Sequence, residues 1–409
     1  MKDLCISAES GTAVKQRHVF FVPGYDPLGP RRYRELYRKH SAIQAEISGY
    51  DISIAGRRGD EVYGWDITAE IEGASTTARY EVLGWGEIVR ASMKRNIAQS
   101  YLLLARTLWL YVSSGALFRL LKLRPTAMIA ALYPVVMLVF QALVAIAVGV
   151  VGAGLLAPLG PVGSVAGGIA LFVVALMLFR RNDRWFYAYY LLHDYAFSAQ
   201  FMGRTPPVLE AQLQSFVERI EAAMASDVDE VLVVGHSSGA HLAVSMVADV
   251  LRRQKPTRAR QPVLSLLTLG QVIPMISFLP AAGKLRRDLN MLSRSDAMAW
   301  IDVSAPGDGG SFALCDPVHV TGVAPPEAEK RWPKVLSAKF SLTLLPETLK
   351  RTRWQFFRRH IQYLCAFDRP QEYDFFRITA GPATLEGRFA WRGATQSRQE
   401  TPLSPYRDF

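Results

Sequence analysis

Residues Glu230 to Ala240 read EVLVVGHSSGA. A run of apolar, mostly β-branched residues (Val231, Leu232, Val233, Val234) meets Gly235-His236-Ser237-Ser238-Gly239, and a helical pattern, AHLAVSMVADVL, begins at once. A buried strand, a G-x-S-x-G pentapeptide and a helix in that order predict a nucleophile elbow with Ser237 at its apex. The reason is steric: a serine at so sharp a turn needs small neighbours, and a Cβ at Gly235 or Gly239 would crowd the turn or the adjacent strand. The following helix directs its first amides toward negative charge developing on a reacting oxygen. The competing reading, an ordinary glycine-rich βα turn, does not require all of these features together.

A serine hydroxyl is a weak nucleophile until a base takes its proton, and an imidazole base needs a carboxylate to set its tautomer. After such an elbow the expected order is serine, acid, histidine. Downstream of the elbow helix there are two histidines, His319 and His360. His360, in RRHIQYL beyond the last strand candidate (KVLSAKFSL, residues 334–342), is the favoured base. Asp308 is the favoured acid, because it lies in the glycine-rich loop SAPGDGG directly after the strand AWIDV. Asp302, inside that strand, and Asp316, before a proline, remain alternatives. His236 and His241 flank the elbow and are read as structural.

Upstream, His18 to Val22 (HVFFV) is a buried-strand candidate ending in Pro23-Gly24-Tyr25-Asp26-Pro27. Gly24 and Tyr25 therefore stand where an early loop would supply an oxyanion amide, to be joined by the amide of Ser238. His18 is read as a strand-edge residue. Arg31 to Ile47 reads as a basic amphipathic helix, and Tyr50 to Trp85 as strands with a hairpin, in which Asp60, Glu61 and Asp66 are solvated.

The segment from Glu87 to Leu123 interleaves Trp109, Tyr111 and Phe118 with Lys94, Arg95, Arg106, Arg119 and Lys122, which predicts a helix lying in a membrane interface. Thr126–Leu156 and Val162–Phe179 carry no charged residue. Each is long enough, or nearly so, to cross about 30 Å of hydrocarbon, so the pair predicts a transmembrane hairpin joined by a Gly/Pro link. Gly163, Gly167 and Gly168 offer close helix approach. Arg119, Lys122 and Arg124 precede the first span and Arg180, Arg181 and Arg184 follow the second, which places both outer ends in the cytosol. Trp185, Phe186, Tyr187, Tyr189 and Tyr190 then form an aromatic belt. The expected division is thus a core in two parts (1–86 and 191–367), a membrane insertion (87–190, with spans about 126–156 and 162–179) and a polar tail (368–409).

The bulk numbers agree with that division. The chain has 409 residues, 50% of them hydrophobic, and a formal net charge of +11, a surplus that suits an anionic membrane surface. Its three cysteines, Cys5, Cys315 and Cys365, are widely spaced, which argues against a disulfide framework or a zinc site and fits a reducing compartment. The N-terminus shows no secretory signal. No nucleotide fingerprint or metal spacing occurs, so neither cofactor nor metal is expected, and the charge is assigned to lipid rather than to nucleic acid.

Taken together, GHSSG between strand and helix, VPG after an early strand, APGD after a late one and His360 beyond the last strand resemble the α/β-hydrolase superfamily of serine esterases and lipases. The matching parts cover His18 to Ile54 and Glu210 to Leu364. The resemblance implies an α/β fold with a mostly parallel sheet flanked by helices, interrupted here by the inserted membrane hairpin. It implies Ser237 as nucleophile, His360 as base, Asp308 as orienting acid, and the amides of Ser238 and Tyr25 (or Gly24) as oxyanion hole. The expected activity is hydrolysis of an acyl ester, with a lipid among the candidates, by an integral protein of the inner or plasma membrane with its site on the cytosolic side. Thioester hydrolysis or acyl transfer through the same acyl-enzyme, and a non-catalytic membrane scaffold, are the alternatives.

Overall fold

The computed structural model describes residues 13–57, 62–253 and 261–409. Cys5, Asp60, Glu61 and much of the basic linker after the elbow helix lie outside the described residues. Eight strands form one sheet: β1 (Gln16–Val22), β2 (Asp51–Gly56), β3 (Gly64–Ile71), β4 (Ala74–Val82), β5 (Glu230–His236), β6 (Val263–Leu269), β7 (Met298–Ser304) and β8 (Lys334–Ser337). Their spatial order is β2-β3-β4-β1-β5-β6-β7-β8. From β4 onward all neighbours are parallel, whereas β2, β3 and β4 pair antiparallel, giving a mostly parallel α/β fold.

Sequence pattern explains the two halves. Every residue of β5 and β7 is buried, as a strand covered on both faces by helices requires. β3 alternates buried and exposed residues, the mark of a strand with one face near water. The Tyr50–Trp85 segment thus joins the main sheet as three strands. His18 lies within β1, a central strand rather than an edge, with Nε2 3.3 Å from Glu81 Oε1.

Helices α1 (Arg31–Ser48), α2 (Gly86–Ser92), α3 (Ile97–Ser113), α4 (Ala116–Leu123), α5 (Pro125–Leu155), α6 (Gly160–Arg181), α7 (Asp183–Phe186), α8 (Ala188–Ala199), α9 (Pro207–Met224) and α10 (Gly239–Arg253) precede or follow the elbow strand. The one long interfacial helix expected over 87–123 is three helices instead. Asn96 and Gln99 close a capping box that starts α3, and Gly115, at φ 71°, admits a 75° bend between α3 and α4. The strand expected over 334–342 stops at Ser337, since Lys339 takes a left-handed φ of 46° and opens a short helix.

α5, and α6 with the 3₁₀ turn that leads into it, are two stretches long and apolar enough to span a membrane. They pack closely where Gly168 meets Gly149: a Cβ on Gly168 would lie 2.8 Å from both the Gly149 carbonyl and the Ala153 methyl. Gly163 and Gly167 instead face Leu159 and Leu156 of the link. The tail from Asp368 is not loose. Phe375 and Phe376 join the core, and Arg17 of β1 donates to the carbonyls of Gly381 (2.9 Å) and Ala383 (2.6 Å).

Candidate active site

The parallel register sets the site at the carboxyl ends of β1, β5, β6 and β7, where helices and loops leave the sheet. Val22 lies opposite Gly235 and His236 opposite Leu269, so the loops after β1, β5 and β6 leave the sheet side by side. At the β5–α10 turn Ser237 adopts a left-handed φ of 57°, a conformation that L-residues rarely hold without support. The support is local. The Ser237 amide donates to Leu269 O (2.9 Å) and its carbonyl accepts from Ala240 N (3.1 Å).

The neighbouring glycines are required by space. A Cβ on Gly235 would lie 2.7 Å from Ala240 Cα, and one on Gly239 would run into the Val22 carbonyl and lie 2.6 Å from that of Pro23. Gly24 brings the β1 loop against the turn, since its Cβ would sit 3.1 Å from Ser237 Cβ. Ser237 itself is half-buried.

Asp308 and His360 meet, although 52 residues separate them. His360 Nδ1 lies 2.9 Å from Asp308 Oδ2 and 3.1 Å from Oδ1. Asp308 is buried after β7 and is further held by the amide of Gly310 (2.9 Å) and the hydroxyl of Tyr363 (3.0 Å). Burial alone pushes the imidazole toward its neutral form, but the Asp308 charge and hydrogen bond outweigh it, and the pKa ends above its ordinary value. Burial likewise opposes ionisation of Asp308, and the His360 charge with the converging donors brings its pKa below the usual range.

His360 is tied to the turn through His236, whose ring nitrogen Nε2 is 2.8 Å from the His360 carbonyl oxygen. The two imidazoles lie 4.9 Å apart between centroids. Among the described residues the Ser237 hydroxyl makes no hydrogen bond, so the serine–imidazole link is open while the imidazole–carboxylate link is formed. Of the amides expected to face an oxyanion, that of Tyr25 donates to Ser238 Oγ (2.8 Å).

The alternative acids and base lie elsewhere. Asp302 is buried within β7, accepts from Thr268 Oγ1 (2.6 Å), and is pushed by burial to a pKa of about 8. Asp316 caps the helix at Pro317–Thr321 and pairs with His319 (3.1 Å) and Lys330 (2.9 Å). Asp316, His319 and Glu400 bring three potential ligand atoms together, but Lys330 already compensates the Asp316 charge.

A cavity of about 210 Å³ opens beside the turn, against Ser238 and Tyr25. Its wall includes Asp194 and His241, neither expected to face a site. Sequence reading missed Asp194, His236 and Tyr363 as site groups. Only Tyr363 carried a signal, standing three residues after His360 and hence one turn along the same segment.

Compared with known family models, curated proteins and solved structures, the chain matches none.

Proposed function

We propose that the protein is a membrane-anchored serine hydrolase that cleaves acyl esters through Ser237, His360 and Asp308. The observation that carries this reading is a strained serine at a strand-to-helix turn together with a carboxylate-bonded imidazole whose own backbone carbonyl is tied to the residue before that serine. Proteins hold such a backbone conformation only where surrounding structure enforces it, and such strain gathers at reacting groups.

In the proposed reaction Ser237 Oγ attacks the ester carbonyl carbon while His360 Nε2 takes the hydroxyl proton. Asp308 keeps Nδ1–H in place and stabilises the imidazolium. The carbonyl oxygen, now negative, is received by the Ser238 amide and by the Tyr25 amide, where it would replace the Ser238 hydroxyl. The C–O bond to the alcohol breaks, the alcohol departs with the proton from His360, and an acyl-enzyme remains. Water, deprotonated by His360, then releases the acid and restores Ser237.

The anchor follows from α5 and α6. Basic residues at the outer ends of both spans favour the cytosolic side for the catalytic body. Trp185, 72% exposed, and Trp354, 75% exposed, flank the contact between Tyr187 and Phe357 (4.8 Å), which links the end of the hairpin to the segment carrying His360. This arrangement suits an ester presented at a lipid surface. The test is labelling of the detergent-solubilised chain by a fluorophosphonate: wild type is expected to react covalently and Ser237→Ala to be inert. Equal labelling of the two, or none of wild type, sinks the reading.

A further inference from the structure

The cavity beside Ser238 is lined by a carboxylate that has no hydrogen-bond partner among the described residues. Asp194, on α8, lines it, and among the described residues no group hydrogen-bonds to its side chain. Burial pushes its pKa up to about 7, and His360 is the one charge that pulls it back. A half-buried carboxylate with no counter-charge hydrogen-bonded to it is costly, so proteins keep one where something else supplies the partner.

The surrounding surfaces narrow what that partner is. Three aromatic rings line the same cavity, packed with centroids 5.8 Å (Tyr25–Trp85), 5.7 Å (Tyr25–Phe197) and 5.5 Å (Trp85–Phe197) apart. They are fixed, since Trp85 Nε1 donates to Pro23 O (3.0 Å) and the Tyr25 hydroxyl bonds Ser92 Oγ (2.5 Å). His241 lies in the same wall; among the described residues its buried ring nitrogen Nδ1 has no hydrogen bond, and burial holds this imidazole neutral with a pKa of about 4. Two cations also border the cavity, but neither answers Asp194. Lys284 is paired with Asp249 (3.0 Å) and Asp288 (3.4 Å), and Arg204 is exposed at the rim.

We infer that this cavity is a subsite for an ammonium group of the substrate, held by the Asp194 carboxylate and the faces of Trp85, Tyr25 and Phe197. Aromatic faces attract a cation through their quadrupole, and the carboxylate in its ionised form adds an opposite charge, which a bound cation would itself favour. A cavity of about 150 Å³ already takes a benzene-sized guest, so a volume of about 210 Å³ is ample for a trimethylammonium head. The inference rests on the ester hydrolase reading for its catalytic consequence, but not for the binding itself.

The test has a binding arm and a turnover arm, both on the full chain in detergent. Titration calorimetry of Ser237→Ala with tetramethylammonium chloride is expected to show binding that weakens at least about tenfold in Ser237→Ala/Asp194→Asn, and comparably in Ser237→Ala/Phe197→Leu. Asp194→Asn is expected to fold, because it removes a buried unpaired charge; a raised melting temperature checks this. In the turnover arm, wild type is expected to prefer a choline ester over its uncharged 3,3-dimethylbutyl isostere, and Asp194→Asn to erase the preference. Equal affinity for tetramethylammonium with and without Asp194, or preference for the isostere, overturns the subsite. Binding that depends on Asp194 with no turnover of either ester supports the subsite and overturns the hydrolase reading.

Discussion

His236 Nε2 lies 2.8 Å from the carbonyl oxygen of His360, so the residue before Ser237 holds the residue that pairs with Asp308. Burial, aided by the nearby His360 charge, keeps His236 neutral, with its pKa pushed down to about 3. A neutral ring facing a carbonyl must carry its proton on Nε2 and donate it. Replacing His236 with alanine leaves that carbonyl unsatisfied, at a cost of about 1–3 kcal/mol. The expected result is a kcat about 10- to 100-fold lower with KM nearly unchanged, because the imidazole is displaced while the cavity is not. His236→Gln, which keeps a donor, is expected to recover part of the loss. Ester kinetics on the three proteins decide it, and a wild-type kcat in His236→Ala would show that the tie is irrelevant to turnover.

The pairing of His360 with Asp308 fixes a pH dependence. The folded pKa of His360 lies above the ordinary 6.5, so the stability from this pair is complete below 6.5 and is lost as pH rises through the folded value. Asp308 works in the opposite sense. Its folded pKa lies below the ordinary 3.8, so its stabilisation is present above 3.8 and is lost as pH falls through the folded value. For turnover the base must be neutral, so the rising limb of kcat/KM is expected above pH 6.5. Asp308→Asn removes that charge and leaves burial opposed only by the more weakly acting Asp194, which should move that limb to lower pH and lower kcat by about 10⁴-fold through the wrong tautomer. A pH profile of kcat/KM for both proteins tests the sign as well as the size.

The turn itself sets a steric expectation. A methyl on Gly239 would meet the carbonyl oxygens of Val22 and Pro23, backbone atoms at the end of β1 and the start of its loop that cannot rotate away. Gly239→Ala is therefore expected to destabilise the chain by about 3 kcal/mol or more, or to prevent folding. Gly29 is the control, since among the described residues nothing lies within 4 Å of a Cβ placed there. Gly29→Ala should change the melting temperature little, and a similar drop in both variants would refute the steric argument.

Ser237 was legible because strand, glycine spacing and helix are all local, and the turn geometry follows from them. Asp308 is picked out by its loop after a strand and His360 by chain order among two histidines, and the two side chains do come together, 2.9 Å apart. Asp194 was not, because α8 sits in an aromatic-rich stretch that meets the turn only through the fold, more than 40 residues away in the chain. The break at Gly115 was hidden by a strong apolar pattern, although Asn96 and Gln99 spell the start of a helix. The tail was opaque for a different reason: short helices such as Phe375–Ala380 have too few turns to show a period, and their anchoring partners lie more than 150 residues away.

That anchoring supplies the last expectation. Arg17 Nε lies 2.6 Å from Glu230 Oε2, with side-chain exposures of 1% and 0%. Removing one member of such a pair strands a buried charge, so Glu230→Ala is expected to cost about 3–5 kcal/mol in denaturant unfolding. Many buried pairs can be exchanged for apolar residues without loss, but this one serves a further purpose. Arg17 also donates to the carbonyls of Gly381 and Ala383, and Glu230 Oε1 accepts from Ser265 Oγ (2.6 Å) and the Leu385 amide (2.7 Å). The double replacement Arg17→Met/Glu230→Leu cancels the charges yet orphans these tail groups, so it should remain about 2 kcal/mol or more below wild type. Limited proteolysis should then cut first beyond Asp368, because the tether, rather than the core, is what has been lost. Full recovery of stability in the double variant would mean that the tail docks through its phenylalanines alone.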